Sequence, residues 1–311
     1  MRLSAPYFAE KLRNMGRFDR VLCSTFVDVA TLRALAPAWI NKVPVLTYFH
    51  ENQFAYPVQM HDKRDFHFAL TNVTTAMASD KIAFNSHYNR DTFLKGAEEL
   101  IKKNADIKLT SLHNEILKKS AVIHPGIDFD QIDSLQDLSE KKHVPTVLWN
   151  HRWEHDKNPE IFFETLFALE KQNVDFDLVV AGQNFHHKPA VFEMAEKKLT
   201  KRIRHFGYIK SKKEYFGWLQ KADHVVSTAA HEFFGIAVIE AVRTGCRPLL
   251  PNRLSYPELF PMDFLYAEDI FEQSLKDSLP KPRLKKDEAI SLTERFSWKS
   301  LAGTYEEWLI I

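Results

Sequence analysis

The sequence predicts an α/β protein of two domains, each a parallel sheet with helices packed on it. Three observations carry that expectation. Short apolar runs alternate with stretches of helical periodicity along the whole chain, the pattern of strand-helix-strand units. The series stops in a polar stretch before Pro145 and then starts again. The 311 residues are also more than one core of ordinary size accommodates.

In the first series, residues 20–24, 43–49, 81–85 and 120–123 read as strands, rich in Val, Ile, Leu and Phe and each ending in polar residues. In an open parallel sheet, ligands bind beyond the carboxyl ends of the strands. Ser24-Thr25, His50-Glu51-Asn52-Gln53, Asn85-Ser86-His87 and His124-Pro125-Gly126 therefore fall on the expected functional rim. Residues 126–145 turn acidic, then basic and polar, and are expected to link the domains. The second series places strands at 146–150, 176–182, 203–208, 224–228 and 247–251. Phe162 to Leu169 has the spacing of a crossover helix, and Tyr215 to Leu219 opens another. Asn158-Pro159-Glu160 is a helix start with proline in the first turn. From Trp298 on, Leu301, Tyr305, Trp308 and Leu309 recur at helical spacing, predicting a terminal helix that docks an apolar stripe on one domain. The expected division is 1–140, 141–296 and a docking helix at 297–311.

Forty-two basic and 41 acidic side chains leave a formal charge of +1, so no global field draws in nucleic acid or an anionic membrane. No apolar run is long enough to span a bilayer, and the N-terminus has no signal core, which makes the cytoplasm the default location. Cys23 and Cys246, one in each half, exclude a disulfide framework and read as buried small hydrophobes. Neither His151/His155 nor His186/His187 has a third ligand at a recognisable spacing, so no metal is expected. Nothing in the sequence sets an oligomeric state.

The densest chemistry lies in His231-Glu232-Phe233-Phe234-Gly235-Ile236-Ala237-Val238-Ile239-Glu240. Two carboxylates eight positions apart come back to one side of a helix, Glu232 from its entry loop and Glu240 from further in. Gly235 permits close backbone approach, and Ile236, Val238, Ile239, Ala241 and Val242 are too apolar for a solvated face. A helix dipole would account for Glu232 alone but not for an acid in the middle of an apolar helix. After the first strand of the second series, Arg152 and Lys157 stand at a helix entrance, where two cations and free backbone donors suit a diphosphate. The bland alternative is a surface ion pair with Glu154 or Asp156.

Arg152 and Lys157 five apart, Gly182 after a later strand, Phe206-Gly207-Tyr208, and the Glu232 to Glu240 pair with Phe234-Gly235 together resemble two-domain retaining glycosyltransferases of the GT-B fold, family-4 type. The blocks Tyr48-Phe49-His50-Glu51-Asn52-Gln53-Phe54-Ala55-Tyr56-Pro57, Trp149 to Lys157, His231 to Gly235 and Tyr256-Pro257-Glu258-Leu259-Phe260-Pro261 narrow this further. They look like the tRNA-queuosine α-mannosyltransferase family, which transfers mannose from GDP-mannose to queuosine in the anticodon loop of aspartate tRNA.

The resemblance implies two Rossmann-like domains with parallel sheets facing a cleft. It makes Glu240 the acid that holds the donor ribose, Glu232 the acid against the donor sugar, and Arg152 with Lys157 the diphosphate clamp. His50 resembles the first-domain histidine that contacts the sugar, while Gly182, Tyr208, Phe234, Gly235 and Ser86 fall among donor-binding positions. The implied donor is GDP-mannose, with no cofactor, no metal and no membrane, and the implied acceptor is tRNA. The family's opening strand, glycine turn and helix have no counterpart before Gly16, so the first domain is expected to lack them. Two other readings keep the donor site: transfer to a lipid or polysaccharide, or nucleotide-sugar binding without turnover. Base identity stays open, because the loop after Gly182 and Phe206-Gly207-Tyr208 suit guanine or uracil. Lysine and arginine pairs such as Lys118-Lys119, Lys141-Lys142, Arg202 with Arg204, and Lys285-Lys286 could serve RNA phosphates or simply be solvated faces.

Overall fold

The computed structural model describes residues 3–55, 66–103, 109–135, 144–183 and 189–310. Tyr56, Pro57, Lys141, Lys142, His186 and His187 lie outside them. The chain divides into two compact units, residues 1–125 with 301–311, and residues 126–300.

The first unit runs α1 (Ser4–Arg13), β1 (Val21–Ser24), α2 (Val29–Leu35), β2 (Val45–Phe49), α3 (Phe66–Ala78), β3 (Lys81–Phe84), α4 (His87–Lys103), α5 (Leu112–Lys118) and β4 (Ser120–Val122). Its four strands are parallel and adjacent in chain order. Right-handed crossovers that always step the same way leave their helices on one face of such a sheet. Side chains alternate across β2, so Val45 and Phe49 join the helix-covered cores while Leu46 and Tyr48 face the other way. That second face is closed by the end of the terminal helix, whose Tyr305, Trp308 and Leu309 pack on Leu46, Tyr48, Ala83 and Ile123. The Tyr48 hydroxyl donates to Ile123 O at 2.6 Å, and that of Tyr305 to His124 O at 3.0 Å. β1 is an edge strand of this sheet, with Leu22 56% exposed.

The second unit runs α6 (Asp130–Asp133), β5 (Thr146–Trp149), α7 (Pro159–Lys171), β6 (Asp177–Ala181), α8 (Ala190–Lys198), β7 (Ile203–Gly207), α9 (Lys212–Lys221), β8 (His224–Val226), α10 (Ile236–Arg243), β9 (Arg247–Pro251), α11 (Tyr256–Leu259), β10 (Leu265–Tyr266), α12 (Phe271–Ser278) and α13 (Lys286–Thr293). Helix α14 (Trp298–Leu309) follows and from Leu301 belongs to the first unit. The parallel sheet has the order β10-β9-β8-β5-β6-β7, so its winding reverses between β5 and β8. Such a reversal opens a crevice at the carboxyl ends of those two strands. One face is walled by aromatics: Trp149 stacks on Phe162 with centroids 5.9 Å apart, and Trp153 stacks on Phe192 at 4.2 Å. Each such buried ring contributes about 2–3 kcal/mol of apolar transfer energy.

Two expectations change, and one strand was not anticipated. The boundary lies at 125/126 rather than 140/141, because Ile127, Phe129 and Ile132 are buried in the core of the second unit and Ile127 bridges Ser297. The expected linker therefore contributes Ile127, Phe129 and Ile132 to the core, although its described polar residues stay exposed. β10, only two residues long, carries no periodicity to detect. Ile236 is 44% exposed, since α10 begins there and its first residue projects away from the core that buries Val238, Ile239, Ala241 and Val242.

Candidate donor site and the His50 loop

The two motif loops of the second unit leave the strands that flank the winding reversal: residues 150–158 follow β5, and residues 227–235 follow β8. They are stitched together by backbone bonds from Ala230 N and His231 N to Asp156 O, at 2.9 and 3.1 Å. The Thr228 hydroxyl lies 3.0 Å from both Lys157 O and Asn158 O.

Lys157 sits at the centre with only 7% of its side chain exposed. Its ammonium donates to His231 O at 2.6 Å and pairs with Glu232 Oε2 at 3.3 Å and with Asp156 Oδ2 at 3.2 Å. Two of its N–H groups are therefore spent on His231 and Glu232, while Asp156 faces the ammonium as a buried counter-charge without a hydrogen bond of its own. Burial opposes ionisation of Glu232, but the Lys157 ammonium and the Phe234 N–H, 3.3 Å from Oε1, hold its carboxyl below the ordinary value. Burial and the same ammonium depress His231 and His151 to about 4, so both rings are neutral at pH 7. Arg152 is half exposed, 3.3 Å from Glu154 and 4.0 Å from Asp156. The surface ion pair named as its bland alternative is thus present, and Arg152 is also the cation of this pair with reach toward solvent.

Glu232 precedes α10, and Gly235 caps that helix at φ 92°, a left-handed conformation that a side chain strains. Tyr256 packs beneath Gly235, and the Ser255 hydroxyl donates to Glu232 O at 3.3 Å, which gives the second block its place under the motif. Glu240 lies further along α10. Burial pushes its carboxyl up to about 7, with the Lys212 ammonium and the Tyr215 hydroxyl opposing. Asn150 Nδ2 donates to Ala237 O at 2.7 Å and to the Tyr215 hydroxyl at 3.2 Å, tying β5, α9 and α10 together around this acid.

The remaining second-unit residues divide. Tyr208, just past β7, is 59% exposed and free to stack. A Cβ at Gly182 would overlap the His151 carbonyl oxygen, so this glycine lets two strand-end loops cross. The Phe234 ring is core, edge-on to Phe296 at 5.4 Å, and it is the Phe234 backbone N–H that serves the site.

In the first unit, His50 stands at the carboxyl end of β2 with its ring 4.7 Å from Tyr48. Desolvation lowers its pKa below the usual imidazole value. Its N–H donates to Thr25 Oγ1 at 2.9 Å, and its carbonyl accepts from Asn85 Nδ2 at 2.7 Å. Ser86 is fully buried and caps α4, accepting from Asn89 N at 3.0 Å. Asn52 turns the segment that follows it, accepting from Phe54 N and Ala55 N at 2.9 and 3.1 Å.

Sequence reasoning missed Asp156 as a buried counter-charge, Asn150 and Tyr215 beside Glu240, and the joining of Asn52 and Asn85 through Asn89 behind His50. Asp156 was within reach, since it adjoins Lys157 in a motif. Several basic clusters are engaged internally: Arg202 pairs with Glu170 and Asp175, Arg204 with Asp177, and Lys119 donates to Met77 O and Ser79 O. Among the described residues no three His, Cys, Asp or Glu form a metal-holding group, and no helix is long and apolar enough to cross a membrane. Both cysteines are free and buried, and burial pushes their thiols up to about 11 and 12.

Residues 1–127 match the family model described as tRNA-queuosine alpha-mannosyltransferase N-terminal, and residues 130–268 match glycosyl transferases group 1. Among solved structures, the sucrose-phosphate synthase of Thermosynechococcus elongatus superposes with a TM-score of 0.71 at 16% identity, covering 97% of this chain and 76% of that one. Anabaena Alr3699/HepE, crystallised with UDP and glucose, gives 0.69 at 14% identity over 98% and 81%. These likenesses establish the fold as GT-B. The tRNA-queuosine alpha-mannosyltransferase of Drosophila melanogaster is 32% identical across 98% of this chain and 84% of its own length. The chain therefore belongs to the tRNA-queuosine alpha-mannosyltransferase family.

Proposed function

We propose that this protein transfers mannose from GDP-mannose, with retention of configuration, to queuosine in the anticodon loop of aspartate tRNA in the cytoplasm. The observation that carries this reading is the identity to the fly mannosyltransferase, which extends over nearly the whole chain rather than the donor motifs alone. The geometry around Lys157 supports it, because an ionised Glu232 held beside a cation suits a sugar nucleotide.

In this reading Glu240 accepts the ribose hydroxyls and Glu232 takes a hydroxyl of the donor sugar. Arg152 meets the diphosphate directly, and Lys157 shares in that charge by releasing one of its three contacts. Charge grows on the departing diphosphate, so fixed cations act most strongly in the transition state. His50 orients a sugar hydroxyl through its neutral ring. Tyr208 offers a face for the base, with Gly182, Gly235 and the Phe234 N–H shaping the loops; Ser86 acts through the cap of α4. No side chain is assigned as a covalent nucleophile.

The test is incubation of the purified protein with GDP-mannose and with queuosine-containing or queuosine-free tRNA, followed by mass analysis of the nucleosides. Mannose on the queuosine-containing tRNA alone supports the reading. No transfer to either tRNA, with donor binding intact by calorimetry, would favour a sugar-nucleotide binding protein instead. Transfer to a lipid or polysaccharide in the absence of tRNA would favour the other acceptor class.

A further inference from the structure

Behind His50 lies a set of buried amides joined to one another by hydrogen bonds. Asn52, Asn72, Asn85 and Asn89 are each at least 95% buried. The Asn89 side chain, in the first turn of α4, donates to Phe49 O at 2.9 Å and to Asn85 Oδ1 at 2.8 Å, and accepts from Asn52 Nδ2 at 2.9 Å. Asn85 passes the connection on to His50 O at 2.7 Å. Asn52 turns the following segment by accepting from Phe54 N and Ala55 N, and donates to Asn89 O and Thr92 Oγ1, both at 3.0 Å. From the other side Asn72 accepts from Gln53 N at 3.2 Å, and Thr25 takes the His50 N–H at 2.9 Å. The backbone of Phe49, His50 and Gln53 is thus held by amides and hydroxyls from outside the segment, and that of Phe54 and Ala55 by Asn52 within it.

The cap of α4 is already made by Ser86, and the next inward positions of that helix, Phe93, Leu94 and Ala97, are apolar core. An asparagine at position 89 is a weak helix former placed where an aliphatic residue would pack, and it is tolerated because its donors are all used. Local rules broken inside a core without local gain point to a task outside the core.

We propose that Asn89, acting through Asn85 and Asn52, is a positioning residue that fixes the His50–Ala55 backbone and so aims the His50 ring at the transferred sugar. The inference rests on the proposed role of His50 and assigns no contact with substrate to Asn89 itself. A lattice of neutral amides suits this task, since its bonds are directional and its members carry no charge that would alter the protonation of the neighbouring imidazole.

A double-mutant cycle tests it. Asn89→Ala is expected to lower kcat about tenfold or more while donor Kd stays within about twofold, and to cost less than about twofold when His50 is already alanine. Amide hydrogen exchange of residues 50–55 rises in the same variant, with the rest of β2 and β3 unchanged. Equal losses in the two backgrounds, an unchanged kcat, or unchanged exchange in residues 50–55 would each overturn the proposal. Should Asn89→Ala not fold, Asn85→Ala removes the bond to the His50 carbonyl and is read by the same criteria. Full activity in His50→Ala alone would refute the role of His50, and the exchange data would then still decide whether Asn89 holds the loop.

Discussion

The donor motifs of the second unit and the His50 loop of the first solve one problem with opposite chemistry. Around Lys157 the site is built from charge, a buried ammonium between two carboxylates with a half-exposed guanidinium at the margin. Around His50 the backbone is held by neutral amides and hydroxyls. Under the proposed function, a departing diphosphate needs charge to meet charge, whereas a neutral histidine orienting the sugar needs directional support without charge. Charged webs are also the more fragile, because losing one partner strands another in low dielectric.

That contrast can be broken first at Lys157. Lys157→Met leaves Asp156 and Glu232 buried without their counter-ion and is expected to cost on the order of 3–5 kcal/mol in urea unfolding, along with donor binding. A cost below about 1 kcal/mol would mean that the web is not structural.

Glu240 comes next, with a sign that pH reveals. Its folded pKa of about 7 lies above the ordinary 4.5, so the folded chain holds that proton more tightly, and stability from this group falls as pH rises between those values. Glu240→Gln should therefore raise stability at pH 8, by on the order of 1–3 kcal/mol, and change it little at pH 4. Donor affinity of the native protein should weaken as pH drops through about 7, since only the carboxylate accepts two hydroxyls, and Glu240→Gln should abolish that dependence. Calorimetric titrations with GDP at pH 6, 7 and 8 measure it; a pH-independent affinity in the native protein would exclude the ribose role.

Ser86→Ala separates cap from contact in the amide-built region. Loss of about 1 kcal/mol in thermal or urea unfolding with donor Kd unchanged is the expected result for a helix cap. A large rise in donor Kd with unchanged stability would instead place the hydroxyl on the donor.

The smallest stability effect is expected at Arg152, a half-exposed pair with Glu154. Arg152→Ala should move unfolding by no more than about 0.5 kcal/mol while weakening GDP binding roughly tenfold. If both stay unchanged, the surface ion pair is all that Arg152 makes.

The nine longer strands were legible to within one or two residues, because buried parallel strands are runs of Val, Ile, Leu and Phe bounded by polar rims. The donor motifs were legible because their charges recur at short spacings within single loops. The asparagine lattice was not, since positions 52 and 72 lie far in sequence from each other and from the 85/89 pair, and no local pattern links them. The polar stretch after Gly126 misled for a related reason: Ile127, Phe129 and Ile132 are too few to form a pattern, yet each finds a core.

Local order in the chain was thus enough to determine the two-sheet α/β class and the family, and to single out the charged motif residues. Side-chain periodicity and short motif spacing are properties of contiguous residues. Only tertiary structure decided that Lys157 turns inward to Asp156 and Glu232, that burial lifts Glu240 toward neutrality, that the terminal helix covers the bare face of the first sheet, and that four asparagines converge behind His50. Each of these depends on burial and on distances between residues far apart in sequence, which arise when the elements pack.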